Sequence, residues 1–166
     1  MANAWKIVSP HIGAQAIDAT DTTQNHTLGL RIRAKHVTYG EGEFIYLKGA
    51  TSTAVASWVT YYPDDWSTTL LAANAIGAVA ISMSANSSSS NYGWYQIFGK
   101  GVGKALSGYV DNALVYATAT AGSVDDAVVS GDRVKGALGA SALDTPSTGL
   151  AEFELNYPLM DDGSAA

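Results

Sequence analysis

The chain has 166 residues, of which 47% are apolar and only 14% are charged, whereas a typical globular domain carries about 25% charged residues. Its formal net charge is −6, and its nine Lys and Arg are scattered along the chain. Both observations argue against the clustered basic surface that nucleic-acid binding requires. The length predicts one domain with a core of ordinary size. The absence of cysteine excludes disulfides and thiolate chemistry. The low fraction of charged residues predicts a surface covered by other copies or by a larger assembly.

The N-terminal segment, residues 1–27, follows neither the helical nor the strand period. Such a segment buries little by itself, which predicts an extended arm that becomes ordered on a partner. Trp5, Ile7 and Val8 are apolar enough to anchor the arm, and they are the first candidate contact residues. The segment lacks the features of a secretion signal, and no window approaches the roughly 18 apolar residues that span a bilayer. We therefore expect no membrane partner.

Nine runs after residue 27 have the alternation and the β-branched or aromatic content of strands. In the run GEFIYLKG, Ile45 and Leu47 oppose Phe44 and Tyr46. The nine runs are 28–34, 42–49, 58–62, 68–72, 77–85, 92–98, 114–120, 131–138 and 149–157. They predict an all-β fold: a single compact β-barrel or β-sandwich domain over 28–160, followed by a frayed tail at 161–166.

Two of the later segments allow finer predictions. In GLAEFELNY, the residues Ala151, Phe153, Leu155 and Tyr157 share one face of the strand. The segment SVDDAVV, residues 123–129, has a capping serine with an aspartate three positions later and could open a short helix. Its β-branched valines disfavour that helix.

The stretch YGWYQIFGKGVGKAL, residues 92–106, raises the question of a phosphate-binding loop. A P-loop needs glycine five positions before Gly103, where the chain has Phe98, and it needs Ser or Thr after Lys104, where the chain has Ala105. The dinucleotide-binding pattern also fails, because its third glycine would fall at Lys104. The stretch is therefore a turn or a bulge between aromatic strands, and we interpret it as a turn. No nucleotide cofactor is expected.

No other pattern in the sequence indicates catalysis or metal binding. The candidates are the histidines His11, His26 and His36, the aspartates Asp125, Asp126 and Asp132, and the pair Glu152 and Glu154. The histidines lack the spacing of a zinc site, the aspartates lack the spacing of a calcium loop, and the glutamates are typical of the wet face of a strand, although a glycosidase pair is conceivable. We expect no enzyme, no metal and no cofactor.

The aromatic group YYPDDW supplies the second set of candidate contact residues, Tyr61, Tyr62 and Trp66. These side chains could stack on a sugar or pack against another subunit. Tyr and Trp are enriched in protein interfaces, which makes the interface interpretation at least as good.

The overall pattern over about residues 20–160 resembles a known family. It is carried by the succession YGEGEFIYLKGATSTAVASWVTYYPDDWST, LLAANAIGAVAISMSAN, YGWYQIFGKGVGKAL and LVYATATAGSVDDAVVSGDRVKGALGASALDTPSTGLAEFEL. This succession is similar to the capsid decoration (cement) proteins of tailed bacteriophages. The resemblance implies a β-tulip-like form of the domain and a non-enzymatic virion protein made in the bacterial host cytoplasm. It would form a homotrimer that binds the major capsid protein on the outer face of the capsid, with the N-terminal arm contributing to the grip.

Two other functions are compatible with the same composition. A tail-tube subunit or another virion β protein would share the low charge and would form hexameric rings. A carbohydrate-binding β-sandwich would use Tyr61, Tyr62, Trp66 and Trp94 as a stacking surface.

Overall fold

The computed structural model describes residues 4–9 and 13–161, and these residues form strands, turns and loops without a helix. The strands are β1 (Trp5–Ile7), β2 (Arg31–His36), β3 (Gly40–Lys48), β4 (Trp58–Tyr62), β5 (Ser67–Leu70), β6 (Ile76–Ser82), β7 (Tyr92–Lys104), β8 (Leu114–Ala117), β9 (Val124–Asp125), β10 (Arg133–Gly139) and β11 (Leu150–Asp161). The all-β prediction is confirmed, and each of the nine predicted strands overlaps an observed one. The possible helix at 123–129 is wrong, because Val124–Asp125 pairs with β8 instead.

The strands form one antiparallel sheet that does not close into a barrel. The main order is β1-β2-β3-β7-β6-β11-β10-β8-β9, and the β4–β5 hairpin attaches to β6. β5 approaches β3 at one place, where the Lys48 N–H donates to the Trp66 carbonyl at 3.1 Å. The sheet is thus strongly curled and encloses apolar side chains on both of its faces.

Three apolar clusters make the core, and β3 contributes to two of them. Phe44 and Tyr46 point into the cluster under β1 and β2, whereas Ile45 and Leu47 point into the cluster beneath the β4–β5 hairpin. All four side chains are fully buried. The third cluster surrounds Trp58 and lies between β4, β6, β8, β10 and β11. Burial on both faces explains why this part of β3 is almost continuously apolar.

The glycine-rich stretch is part of the long strand β7, so its interpretation as a turn is wrong and the bulge is what occurs. The ladder between β3 and β7 skips Ile97, and Gly99 follows with φ of +92°. Phe98 pairs with both Glu43 of β3 and Asn156 of β11, and from Gly99 onward β7 pairs with β11 instead of β3. Glycine adopts a positive φ without steric cost, which explains the residue at the point where the strand changes partner.

The next two glycines are required by packing. The Gln96 amide lies against Gly101, and its Nε2 donates to the carbonyls of Phe98 and Lys100, both at 3.1 Å. The indole of Trp58 lies on Gly103, where a Cβ would be 2.5 Å from Nε1. Gly101 and Gly103 belong to the pattern that suggested a phosphate loop. They are glycines because the buried side chains of Gln96 and Trp58 occupy the space that a Cβ would need.

The segment predicted as an arm is described over residues 4–9 and 13–27, where only Trp5–Ile7 forms a strand. It packs against the domain: Trp5 and Ile17 are buried in the cluster under β2, and the Trp94 Nε1–H donates to the Gln15 carbonyl at 2.9 Å. Asp21 also exchanges two backbone hydrogen bonds with Tyr92. The frayed tail predicted for 161–166 lies, apart from the end of β11, outside the described residues.

Candidate interaction surface

The first set of predicted contact residues differs widely in exposure. Trp5 is 7% exposed and packs edge-on against Phe44 at 4.9 Å between ring centres. Ile7 is half-buried against the same cluster, whereas Val8 is 49% exposed. In this set Val8 presents the most side-chain surface to a partner, and Trp5 holds β1 to the domain.

The second set lies in the β4–β5 hairpin. Tyr61 is buried, and this burial raises the pKa of its phenol. Trp66 is half-buried and covers Gly29, where any side chain would overlap the indole ring. Tyr62 is exposed, and its hydroxyl lies 3.2 Å from the Thr60 hydroxyl. The structure therefore leaves Tyr62 as the accessible aromatic residue of this set.

The four aromatic residues considered for sugar stacking do not share an exposed face. Trp94 is fully buried, and its indole N–H is bonded to the Gln15 carbonyl. Tyr61 is buried as well. Two of the four side chains are thus core residues, and they offer a sugar no ring face.

Large apolar side chains are instead exposed together on the outer face of β7, β8, β10 and β11. Their exposed fractions range from 37% to 46%, and we call this set the exposed apolar strip: Phe98, Leu114, Leu138, Tyr157 and Leu159. Leu138 and Leu114 are cross-strand neighbours, and the rings of Phe98 and Tyr157 lie 5.4 Å apart. The outer face of an antiparallel sheet is usually polar, so this strip is a candidate interaction surface.

Tyr157 reaches the strip because the strand is irregular there. The sequence pattern placed it on the same face as Phe153 and Leu155, and this prediction is wrong. Tyr157 has φ of +48° and lies at a bulge opposite Gly136, whose own φ is +76°. The bulge turns Tyr157 outward while Leu155 remains buried.

An open groove of about 400 Å³ continues the strip across β10. Phe98, Leu114 and Leu138 line it together with Arg133 and Glu154. The groove therefore combines apolar walls with one charge of each sign.

A network of charged side chains borders the other end of the strip. Arg31 and Arg33 lie 3.8 and 3.7 Å from the Glu43 carboxylate, and the Tyr157 hydroxyl donates to Glu43 at 3.1 Å. The Arg31 guanidinium lies 5.9 Å from the centre of the Tyr157 ring. Desolvation, followed by the Glu43 carboxylate, raises the pKa of Tyr157. The network fixes the phenol ring in its outward position.

A second cavity, of about 490 Å³, lies beside β1. Trp5, His36, Tyr39, Met83 and Val102 are among the residues that line it. The His36 and Tyr39 rings stack at 4.5 Å, and burial lowers the pKa of His36. The His36 Nδ1 accepts the N–H groups of its own turn and is not free for a ligand.

The acidic residues considered for metal or catalytic chemistry have structural roles. The Asp132 carboxylate accepts the Asn74 N–H at 2.6 Å, and Asp126 accepts the Val110 N–H at 3.0 Å. Glu152 forms an ion pair with Lys100 at 2.7 Å. No group of three or more His, Cys, Asp or Glu within residues 4–9 and 13–161 could hold a metal ion. His11 lies outside the described residues.

The comparisons with known proteins identify no relative. No family model matches the chain, and no curated protein or solved structure is significantly similar to it. The described part of the chain contains no helix long and apolar enough to cross a membrane.

Proposed function

We propose that the protein is a virion structural protein that decorates the outer surface of a bacteriophage capsid as a homotrimer and bridges subunits of the major capsid protein. The observation that carries the proposal is the exposed apolar strip on a compact, curled β domain. A rigid apolar surface of this kind is suited to a stable protein contact. The low charge of the chain and its resemblance to decoration proteins support the same function.

The proposal also includes the type of β domain. Apolar clusters on both faces of the curled sheet support the sandwich-type version of the domain that the strand pattern predicts. The exposed side chains Val8 and Tyr62 are the capsid contacts retained from the predicted sets. No catalytic step, cofactor or metal forms part of the proposed function.

Binding to capsids that lack the protein tests this function. Purified protein is added to such capsids from the phage that encodes it, and the pelleted particles are analysed for bound protein. We expect saturable binding at a fixed ratio to the major capsid protein and greater resistance of the particles to heat. The double variant Val8→Asp and Tyr62→Ala should bind more weakly, whereas Val37→Asp, at a 92% exposed position in the β2–β3 turn, should bind normally.

Absence of binding to capsids would contradict the proposal. Assembly of the purified protein into hexameric rings would instead favour a tail-tube subunit. Retention on a glycan column, lost when Tyr62 and Trp66 are replaced by alanine, would favour carbohydrate binding.

A further inference from the structure

The cavity beside β1 has the size of a small-molecule site. Its volume is about 490 Å³, and such sites usually measure roughly 300–1,000 Å³. Segments that are distant in the sequence form its walls: Trp5 on β1, Val102 on β7, Val55 in the turn before β4 and Pro146 in the β10–β11 loop. The fold therefore builds at this place a space that could hold a small organic molecule.

Apolar and aromatic side chains make up most of the cavity wall. The Trp5 ring lies 5.1 Å from the His36 ring and 6.5 Å from the Tyr39 ring, measured between centres, and the half-buried Met83 adds a thioether. Among the described residues that line the cavity, Asp18 carries the one carboxylate, and none is a Lys or an Arg. A wall without a cation disfavours a carboxylate or phosphate ligand and favours an uncharged, apolar one.

One buried hydrogen-bond acceptor in this wall has no partner. Gln96 is fully buried and lines the cavity, and its Nε2 donates to the carbonyls of Phe98 and Lys100, both at 3.1 Å. Its Oε1 accepts no hydrogen bond from the described part of the chain, and it lies against Gly101, which also lines the cavity. A buried amide oxygen without a partner is unfavourable. A molecule that donates to this oxygen would therefore gain a hydrogen bond that the chain alone does not make.

We propose that this cavity binds a small, uncharged molecule with an apolar body and one hydroxyl or N–H group. The body lies among Trp5, Met83 and Val102, and the hydroxyl or N–H donates to the Gln96 Oε1. A few polar groups in an otherwise apolar wall are the usual means by which such sites orient a ligand. No residue of the exposed apolar strip lines this cavity, so the inference does not rest on the proposed function.

Ligand binding at this place has a consequence for stability. The bound molecule contacts β1, β7 and the two loops at once, and these segments come together only in the folded chain. A ligand that binds the folded chain and not the unfolded one stabilises the fold in proportion to the logarithm of its concentration. Binding should therefore raise the unfolding temperature of the full chain.

Three probes that share one apolar body test the site. Para-propylphenol carries a hydroxyl donor, para-propylanisole has a methyl group in place of the phenolic hydrogen, and para-propylbenzoate is an anion. Calorimetric titration of the full chain measures the affinity for each probe. Magnetic resonance of isotope-labelled methionine methyl groups locates the bound probe, because Met83 lines the cavity whereas Met160 is buried in the cluster around Trp58.

A cavity-filling variant with a matched control addresses the protein side. Val102→Phe places a ring in the cavity, and Val110→Phe makes the same change at a 54% exposed position that does not line it. Circular dichroism verifies that both variants are folded. Should Val102→Phe not fold, Val55→Trp at the 57% exposed rim replaces it, with Val110→Trp as its control.

We expect the phenol to bind one molecule per chain and to shift the methyl signal of Met83 but not that of Met160. Loss of the donor in the anisole, or of the space in Val102→Phe, should each weaken binding by about tenfold or more. Val110→Phe should bind the phenol normally, and the benzoate should not bind. No binding of the phenol up to its solubility limit would overturn the site, as would equal binding to both phenylalanine variants. Equal affinity for phenol and anisole would overturn the role of Gln96 and the class of ligand.

Discussion

The strands β3 and β11 are both long and central, yet their apolar side chains differ in burial. Phe44 and Ile45 of β3 point to opposite faces, and both are fully buried. In β11, Leu155 faces the core, but Tyr157 and Leu159 are 46% and 44% exposed on the outer face. The fold buries every large apolar side chain in the middle of β3, whereas it leaves large apolar side chains of β11 exposed. This difference separates residues that build the domain from residues available for assembly.

The largest expected loss of stability follows from truncating a β3 core residue. Phe44→Ala removes a fully buried ring that packs on Trp5, and such a change typically lowers the free energy of unfolding by about 3–5 kcal/mol. Denaturant titration at a fixed protein concentration measures the loss, with Val37→Ala as the exposed control. A loss below about 1 kcal/mol would show that β3 is not the centre of the core.

A smaller loss is expected where a methyl group is added to β7. In Gly103→Ala the new Cβ would lie 2.5 Å from the Trp58 Nε1 and 2.9 Å from its Cε2. Overpacking of a buried site typically costs about 1–3 kcal/mol. The neighbouring Lys104→Ala is the control, and thermal unfolding compares the two. Equal stability of both variants would remove the packing explanation for this glycine.

The buried tyrosines predict a loss of stability in alkaline solution. Burial raises the pKa of Tyr61, Tyr95 and Tyr109 above the usual value of 10. Above pH 10 the unfolded chain therefore releases protons that the folded chain retains, and the free energy of unfolding falls as the pH rises. Unfolding titrations at pH 8 and pH 11 measure the fall, and Tyr109→Phe should reduce it. The same stability at both pH values would contradict the burial of these phenols.

The smallest effect on the monomer is expected in the exposed apolar strip. Leu138 is 37% exposed, and replacement of surface residues usually changes the free energy of unfolding by no more than about 0.5 kcal/mol. Leu138→Ser should therefore leave the unfolding of the dilute monomer nearly unchanged while it weakens self-association. A destabilisation as large as that of Phe44→Ala would show that Leu138 belongs to the core and not to an interface.

Alternation and turn residues predicted the regular part of the fold. The strands other than β1 and β9 were visible because they alternate apolar and polar residues or are rich in β-branched and aromatic residues. β1 and β9 were missed because they contain three and two residues, too few to show a period. Trp5 and Ile17 are apolar residues of the aperiodic N-terminal segment, and their burial depends on contacts with distant strands.

The candidate surface was harder to predict, because bulges change which face a residue occupies. At one such bulge, Tyr157 lies on the face of its strand opposite to the one that alternation predicts. Gly99 lies at a second bulge. A period of two cannot register the extra residue in a bulge until the paired strand is known. The apolar outward residues Leu138 and Leu159 were present in the sequence, but their exposure followed only from the register of β10 and β11.

A cryo-electron microscopy reconstruction of the phage particle that encodes this chain tests the central claim most directly. The account predicts density for the curled β domain on the outside of the capsid, in groups of three, with Val8 and Tyr62 toward the shell. Particles whose outer surface lacks this domain, or a domain found only in the tail tube, would contradict the account.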